Sequence, residues 1–338
     1  MALFDSINQL NTERRRTNRR RFLLGGIGAI LSYFGYRWYY FRARAIANRV
    51  TKFLTPNHEF YAVSIDEGFR PNVKQDEWRL EIVGQNSFTL SYDELLKLPS
   101  ANVHKTFICV GNEPGGPAMG NAVWTATPLA PILEKALGAM PRANLRVVFH
   151  ALDGFYSSVP LELAMNSLSW IAYHMNGEPL PVKHGLPARV LLPGIYGMKQ
   201  PRWLNKIEIT KTPWFKGYWE TRGYCDECKI KMTARLDSAR QQKDSTWLVT
   251  GVALCGTETV GTVEVSFDNG ETWQAATITS EKLPDAWVTW QINWKPETKG
   301  EYVLSARVAD TTGKRQIERN STSFPSGSTG LHRTTVTV

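Results

Sequence analysis

The chain of 338 residues changes character near residue 227, and this change limits what it can fold into. Before that point, short apolar segments typical of strands alternate with segments that predict helices. One is YDELLKLP at 92–99, with Ser91 as its N-cap, and another is TPLAPILEKALGAM at 127–140, opened by Thr127. After it, strand-like segments follow one another with only turns between them, and Asp-Asn-Gly at 268–270 is a strong hairpin signal. We therefore predict an α+β fold for residues 51–226 and an immunoglobulin-like β-sandwich for residues 227–338.

The net charge of +9 is concentrated at the N-terminus. Residues 1–50 hold ten arginines and only two acidic residues, so the rest of the chain is close to neutral. The basic residues therefore belong to a leader and not to a face of the fold. Nucleic-acid binding is not expected.

The leader predicts export. The segment Asn18-Arg19-Arg20-Arg21-Phe22-Leu23 resembles the twin-arginine motif, which directs folded proteins across a membrane. The alternative is an uncleaved membrane anchor through residues 22–41, although an apolar run of about 15 residues is short for a span that needs about 20. We expect an exported protein that is periplasmic or otherwise extracytoplasmic.

Several common catalytic motifs are missing from the sequence. Gly111 and Gly116 have the spacing of a phosphate-binding loop, but Pro117 stands where that loop requires lysine. No G-x-S-x-G or H-E-x-x-H segment occurs, and the six histidines show no metal-ligand spacing. Cys225 and Cys228 form a lone C-x-x-C, without a second pair for zinc or a following histidine for haem. They are expected to form either a local disulfide or two free thiols.

Cys109 is the residue that points most clearly to chemistry. It ends an apolar stretch, and the glycines of the segment 111–120 that follows are expected to let a ligand approach the backbone closely. A lone thiol is more often a buried structural residue, but a thiolate suits a soft or high-valent metal. A second segment, rich in Gly and Pro, carries basic residues that could bind phosphate or could be a solvated loop: His184, Arg189, Lys199 and Arg202.

The ordered sequence blocks resemble the sulfite oxidase family of mononuclear molybdenum enzymes over roughly residues 55–338. The most specific blocks are TPNHEFY at 55–61, F-x-C-x-G-N at 107–112, DGFYSSVPLE at 153–162, AYHMNGEPLP at 172–181, HGLPARVLLPG at 184–194 and RWLNKIEI at 202–209. The resemblance implies a sulfite oxidase-like molybdopterin-binding domain at 51–226, followed by a dimerisation domain at 227–338. A homodimer is therefore expected.

The resemblance also implies roles for individual residues. Cys109 would be the thiolate ligand to molybdenum, and Tyr224 would be an active-site phenol that hydrogen-bonds to an oxo group or to substrate. The residues expected to hold or surround the molybdopterin are Asn112, Asp153, Ser158, His184, Arg189, Lys199 and Arg202.

Two departures from the family pattern concern the substrate. Sulfite-oxidising members carry arginines where this chain has Val63 and Glu113-Pro114. Those arginines would neutralise a dianion, and a glutamate in their place adds repulsion. The cations expected to compensate in part are Arg189, Lys199 and Arg222.

The resemblance implies oxygen-atom transfer involving a small sulfur-containing substrate, with the oxidation of sulfite as the leading reaction. One alternative is the reduction of a sulfoxide-like or other oxidised substrate. Another is a non-catalytic interaction protein on the same fold. Because the sequence has no haem-attachment motif, electrons are expected to pass to a separate carrier such as a cytochrome.

Overall fold

The computed structural model describes residues 47–338, which form one compact unit. Both leader predictions, the twin-arginine signal and the anchor through residues 22–41, lie outside the described residues. Within residues 47–338, no helix is long and apolar enough to cross a membrane.

The first part of the described chain combines three short helices with ten strands. The helices are α1 (Tyr92–Lys97), α2 (Leu129–Leu137) and α3 (Leu161–Ala164). The strands are β1 (Arg79–Val83), β2 (Phe88–Ser91), β3 (Ala101–Ile108), β4 (Met119–Pro128), β5 (Arg146–Ala151), β6 (Tyr156–Pro160), β7 (Trp170–Met175), β8 (Glu178–Pro179), β9 (Arg189–Leu191) and β10 (Leu204–Thr210).

These strands form two five-stranded sheets. One has the order β2-β1-β10-β5-β6 and is antiparallel except for the parallel pair β1–β10. The other has the order β3-β4-β7-β8, and β9 also pairs with β7. One apolar core joins the sheets and α2, and its buried members include Leu80, Leu133, Val147 and Val190. Burial of such side chains is the main driving force for this packing.

The starts of α1 and α2 show that strand pairing can override a local helix-capping signal. α1 begins as predicted: the Ser91 hydroxyl accepts the Glu94 N–H, and the Glu94 carboxylate accepts the Ser91 N–H, which together form a capping box. For α2, Thr127 was the expected first cap, but Thr127 pairs with Ile171 as part of β4. The helix therefore starts after Pro128, which is its N-cap.

The described chain from residue 233 onward contains strands and turns. The strands are β11 (Thr233–Gln241), β12 (Trp247–Leu254), β13 (Val260–Ser266), β14 (Gln274–Ala275), β15 (Thr277–Ile278), β16 (Val288–Trp294), β17 (Glu301–Asp310) and β18 (His332–Thr337). They form two antiparallel four-stranded sheets, β11-β12-β16-β15 and β14-β13-β17-β18.

The predicted hairpin signal at 268–270 is confirmed. It lies between the antiparallel strands β13 and β14, and Asn269 and Gly270 both have positive φ. The predicted fold class, an α+β part followed by a β-sandwich, is thus confirmed as well. The proposed boundary at 226/227 falls between β10 and β11 and stays a prediction.

The strand that leads to Cys109 is bound directly to the sandwich. Lys105 of β3 and Asp285 form a buried ion pair, and the other Asp285 oxygen accepts the Gly194 N–H at 3.0 Å. The Thr106 N–H donates to the Asp285 carbonyl at 2.8 Å, and the Thr106 hydroxyl accepts the Trp287 N–H at 2.8 Å. The sandwich therefore supports the strand from which the site is built.

Candidate active site

A cavity of about 230 Å³ lies beside Cys109. Its wall is built from segments that are far apart in sequence, and it contains six of the nine predicted site residues: Cys109, Asp153, His184, Arg189, Arg202 and Tyr224. The fold thus brings together most of the residues that the sequence resemblance singled out.

The Cys109 thiol projects from a tight turn that directly follows β3. The Cys109 N–H donates to the Ala118 carbonyl at 3.0 Å, and its carbonyl accepts the Asn112 N–H at 2.9 Å. Burial raises the pKa of the half-buried thiol, and a hydrogen bond from the Gly111 backbone lowers it in part. Because a metal ligand must be deprotonated, metal binding here would release the thiol proton.

The glycines after Cys109 mostly make room for protein atoms. A Cβ at Gly115, where φ is +80°, would lie 2.0 Å from the His332 ring. Similar collisions with protein atoms would occur at Gly116 and Gly120, at 2.4 and 2.8 Å. These three glycines do not line the cavity, whereas Gly111 does, and close approach of a ligand to their backbone stays a prediction.

Arg189 is a buried cation with an unsatisfied donor. It is 5% exposed, its Nη1 donates to the His184 carbonyl at 3.1 Å, and its guanidinium lies 4.2 Å from the centre of the Phe107 ring. Its Nε is buried and has no hydrogen-bond partner among the described residues. Burial, and then the charge of Arg202, lower the pKa of Arg189 to about 9. Such a group is costly unless an anion pairs with it.

Gly185 allows the two cavity arginines to approach each other. Its φ is +123°, which favours glycine, and a Cβ there would lie 3.1 Å from Cβ of Arg189 and 3.2 Å from Cβ of Arg202. Arg202 donates to the carbonyls of Lys183 at 2.5 Å and Val63 at 3.1 Å. The result is a cationic wall that fits a phosphate-bearing cofactor such as molybdopterin.

The TPNHEFY block holds His184 in place. His184 Nε2 lies 2.8 Å from the Asn57 carbonyl, and because a carbonyl can only accept, Nε2 carries the proton. Burial lowers the pKa of His184 to about 4, and Arg189 contributes to the lowering. The ring is therefore neutral at pH 7, and an anion bound beside it would raise that pKa.

Asp153 and Tyr224 complete the predicted part of the wall. Burial raises the pKa of Asp153, while the Phe155 N–H, which donates to its Oδ1 at 3.0 Å, and the Arg202 charge oppose the rise. The Tyr224 ring packs edge-on between Trp219 and Phe324, with ring centres 5.3 and 5.1 Å away.

Three predicted residues do not line the cavity: Asn112, Ser158 and Lys199. Asn112 accepts a backbone N–H of its own loop at 2.8 Å and so shapes the turn after Cys109. The Ser158 hydroxyl accepts hydrogen bonds from Arg146, and Lys199 forms a buried ion pair with Glu220. Their role in holding the cofactor stays a prediction.

Tyr61 and Trp219 also line the cavity, although the sequence did not single them out. The Tyr61 hydroxyl lies 3.0 Å from the point where a Cβ of Gly197 would stand, so this glycine makes room for it. Burial, followed by the nearby Cys109, raises the pKa of Tyr61 well above its usual range, which keeps the phenol a donor. The sequence signal that could have identified Tyr61 is its place at the end of the TPNHEFY block.

The residues that bear on substrate charge are not equally placed. Val63 lines the cavity and is 54% exposed, whereas Glu113 is not part of the wall. Of the three cations expected to compensate, Arg189 faces the cavity. Lys199 is paired with Glu220, and Arg222 is exposed with its guanidinium 3.5 Å from the centre of the Tyr218 ring.

Cys225 and Cys228, which the sequence left as either a disulfide or two thiols, form a disulfide. It directly follows Tyr224 in the chain. Cys109 and Cys255 are free thiols, and burial raises the pKa of Cys255 to about 12.

Comparison with known proteins agrees with this geometry. Residues 67–219 match the oxidoreductase molybdopterin binding domain family. Mitochondrial sulfite oxidase of Rattus norvegicus is 29% identical over 289 residues, which cover 71% of this chain and 53% of the relative. The oxidoreductase YuiH of Bacillus subtilis is 33% identical over 150 residues, which cover 44% of this chain and 72% of the relative. This chain spans about half the length of the mitochondrial sulfite oxidases it matches.

A solved structure shares the fold. The sulfane dehydrogenase SoxCD from Paracoccus pantotrophus superposes with a TM-score of 0.70 at 22% identity, over 79% of this chain and 75% of that one. Three findings lead to one assignment: the matching domain model, the relative that is 33% identical over 150 residues, and the cationic cavity beside a single thiol. This chain belongs to the sulfite oxidase family of molybdopterin-dependent oxidoreductases.

Proposed function

We propose that this protein catalyses oxygen-atom transfer on a small sulfur-containing substrate, with the oxidation of sulfite to sulfate as the leading reaction. In that reaction sulfite and water yield sulfate, two protons and two electrons. The observation that carries the proposal is that one cavity wall contains both the half-buried Cys109 thiol and the buried Arg189, whose Nε is unsatisfied. Molybdopterin supplies a metal that exchanges an oxygen atom and two electrons; the protein supplies placement and electrostatics.

The residues of the cavity would divide this work. Cys109 would hold the metal as a thiolate, and Arg189 with Arg202 would hold the phosphate of the pterin. Tyr61 and Tyr224 would donate hydrogen bonds to the oxygen atoms of the substrate. Such positioned donors stabilise charge that develops during the reaction.

A second candidate reaction is the reduction of a sulfoxide-like substrate. The apolar side chains of Val63, Ile65 and Phe155 in the cavity wall favour it. If Arg189 and Arg202 neutralise the phosphate of the cofactor, little positive charge remains for a dianion. A neutral substrate would avoid this shortage.

A substrate screen on molybdenum-loaded protein separates the two reactions. Sulfite would be tested with an artificial electron acceptor, and small sulfoxides with a reduced dye. Turnover of sulfite supports the leading reaction, and turnover of sulfoxides alone supports the second. Turnover of neither, in protein shown to contain molybdenum and pterin, would contradict the proposed activity.

We also propose that the protein is exported, that it forms a homodimer and that it passes electrons to a separate carrier such as a cytochrome. Export rests on Arg19-Arg20 before Phe22-Leu23. Changing Arg19 and Arg20 to lysine is expected to leave precursor in the cytoplasm, as followed by cell fractionation. Normal export of that variant would point to a plain membrane anchor or another route.

A further inference from the structure

A cluster of charged residues, buried except for the half-exposed Asp226, lies next to the cavity without forming part of its cationic wall. Lys199 is 0% exposed, and its Nζ pairs with Glu220 and lies 3.5 Å from Oδ1 of Asp226. Arg146 binds the same Asp226 carboxylate through two nitrogens, at 2.6 and 2.9 Å. Two cations thus face two carboxylates. The charge of Lys199 is therefore balanced by the protein itself and does not call for a cofactor phosphate.

This cluster, defined as Arg146, Lys199, Glu220 and Asp226, brackets Tyr224 in the chain. Glu220 precedes the tyrosine by four residues, and Asp226 follows it by two. Lys199 ends the short 3-10 turn Gly197–Lys199, and Gly197 lines the cavity. One buried ammonium group therefore ties both sides of the tyrosine segment to a turn of the cavity wall.

Other contacts also hold this segment, both within it and to distant parts of the chain. The Tyr224 N–H donates to the Trp219 carbonyl at 3.1 Å, and the Cys225 N–H donates to the Pro325 carbonyl at 3.2 Å. The Cys225–Cys228 disulfide closes the loop that contains Asp226. The N–H of Tyr196, which precedes the turn Gly197–Lys199, also donates to the Cys228 carbonyl at 3.0 Å. The ion pairs of Lys199 add a charged link between the segment and this turn.

We propose that Lys199 is a positioning residue: by pairing with Glu220 and Asp226 it holds Tyr224 at the cavity, and it does not bind the cofactor. The proposal rests on the proposed function, in which Tyr224 donates a hydrogen bond to the substrate in this cavity. Lys199→Met alone leaves the buried Glu220 carboxylate without its partner and is expected to cost stability, so milder variants of the same pairs are kept beside it in the test.

The test is a double-mutant cycle between Lys199→Met and Tyr224→Phe on the full-length, molybdenum-loaded protein. Arg307→Met is the matched control, since Arg307 also pairs with two carboxylates, Glu264 and Glu318, but lies in the sandwich. The readouts are kcat and KM with the substrate found by the screen, the molybdenum and pterin content, and hydrogen exchange of the segment 215–228.

Lys199→Met is expected to lower kcat about tenfold with KM within about twofold, and to lower kcat less than about twofold when Tyr224 is already Phe. Hydrogen exchange in 215–228 is expected to rise, while the cofactor content stays at that of the unchanged protein. Arg307→Met is expected to leave kcat and the exchange of this segment unchanged. Together these results would support a positioning role.

Loss of molybdopterin from Lys199→Met would overturn the proposal, because it would mean that Lys199 contacts the cofactor. Additive effects of Lys199→Met and Tyr224→Phe on kcat, or unchanged exchange in 215–228, would overturn it too. If Lys199→Met does not fold, Glu220→Gln and the half-exposed Asp226→Asn weaken the same pairs more mildly and serve the same cycle. If no substrate is turned over, the proposed activity fails, and hydrogen exchange with cofactor content still decides the role of Lys199.

Discussion

Val63 is the residue on which the choice of substrate depends most. The family resemblance implies that sulfite-oxidising members carry arginine at this position. Val63 lies in the cavity wall with 54% of its surface exposed. A guanidinium at this point would face a bound dianion. Val63→Arg is therefore expected to lower KM for sulfite at least about tenfold, which needs about 1.4 kcal/mol of added binding.

The control for this change is Val63→Met, which adds length without charge. Glu113→Gln is expected to leave KM within about twofold, because Glu113 is not part of the cavity wall and charge effects weaken with distance. Steady-state sulfite kinetics at fixed ionic strength measure all three variants. Equal KM values for Val63→Arg and Val63→Met would show that this position does not meet the substrate.

Tyr224 offers a second test at the scale of one residue. Tyr224→Phe removes a phenol from the cavity wall but keeps the ring that packs against Trp219 and Phe324. Turnover is expected to fall by about 10- to 1000-fold, as for the loss of one positioned donor. Tyr302→Phe, which removes a hydroxyl from the sandwich, is the control. Equal kinetics for both variants with every substrate would contradict the assigned role.

At the scale of elements, the central contact is between β3 and the sandwich. The buried pair Lys105–Asp285 fixes the strand that ends beside Cys109. Asp285→Leu leaves the Lys105 ammonium buried without its partner and is expected to destabilise the protein by about 3–5 kcal/mol. Adding Lys105→Met is expected to restore much of that loss. Denaturant unfolding measures both, and a single variant as stable as the double one would contradict this view of the junction.

The helices also show which features could be predicted from the sequence and which could not. The Ser91 capping box was predictable because all of its partners lie within four residues. The start of α2 was not, because the pairing of Thr127 with Ile171 involves a distant strand. The buried ion pairs were not predictable either. Nothing in the local sequence indicates that Asp285, 180 residues away, pairs with Lys105, or that Glu220 pairs with Lys199.

At the scale of the whole molecule, two buried histidines make stability depend on pH. Burial lowers the pKa of both His184 and His332 to about 4, below the usual 6.5. The unfolded chain therefore takes up these protons at higher pH than the folded protein. The free energy of unfolding is expected to fall as pH decreases from about 6.5 to about 4, and this contribution levels off below that.

The variant His332→Gln isolates one of the two groups. His332 Nδ1 accepts the Leu236 N–H at 3.0 Å, and a glutamine oxygen can accept in its place. Urea unfolding at several pH values is expected to show a shallower fall between pH 6.5 and 4 for the variant, since one of the two histidines no longer titrates. An unchanged slope would mean that His332 titrates alike in both states.

The fold class and six residues of the cavity wall followed from the sequence, because the family's blocks carry residues such as Cys109, His184 and Arg202 in recognisable settings. Which cations face the cavity did not follow from the sequence. Whether a cation faces a cavity or another side chain depends on tertiary contacts, as Arg189 and Lys199 show.

The most direct test of the account is X-ray absorption at the molybdenum edge on the purified protein and on Cys109→Ser. Cys255→Ala, which alters the other, buried free thiol, is the control. We expect molybdenum in all three proteins, with one sulfur neighbour fewer in Cys109→Ser alone, because serine offers oxygen in place of a thiolate. An unchanged number of sulfur neighbours in Cys109→Ser would contradict the claim that this residue holds the metal, as would the absence of molybdenum from the unchanged protein after expression with cofactor supplied.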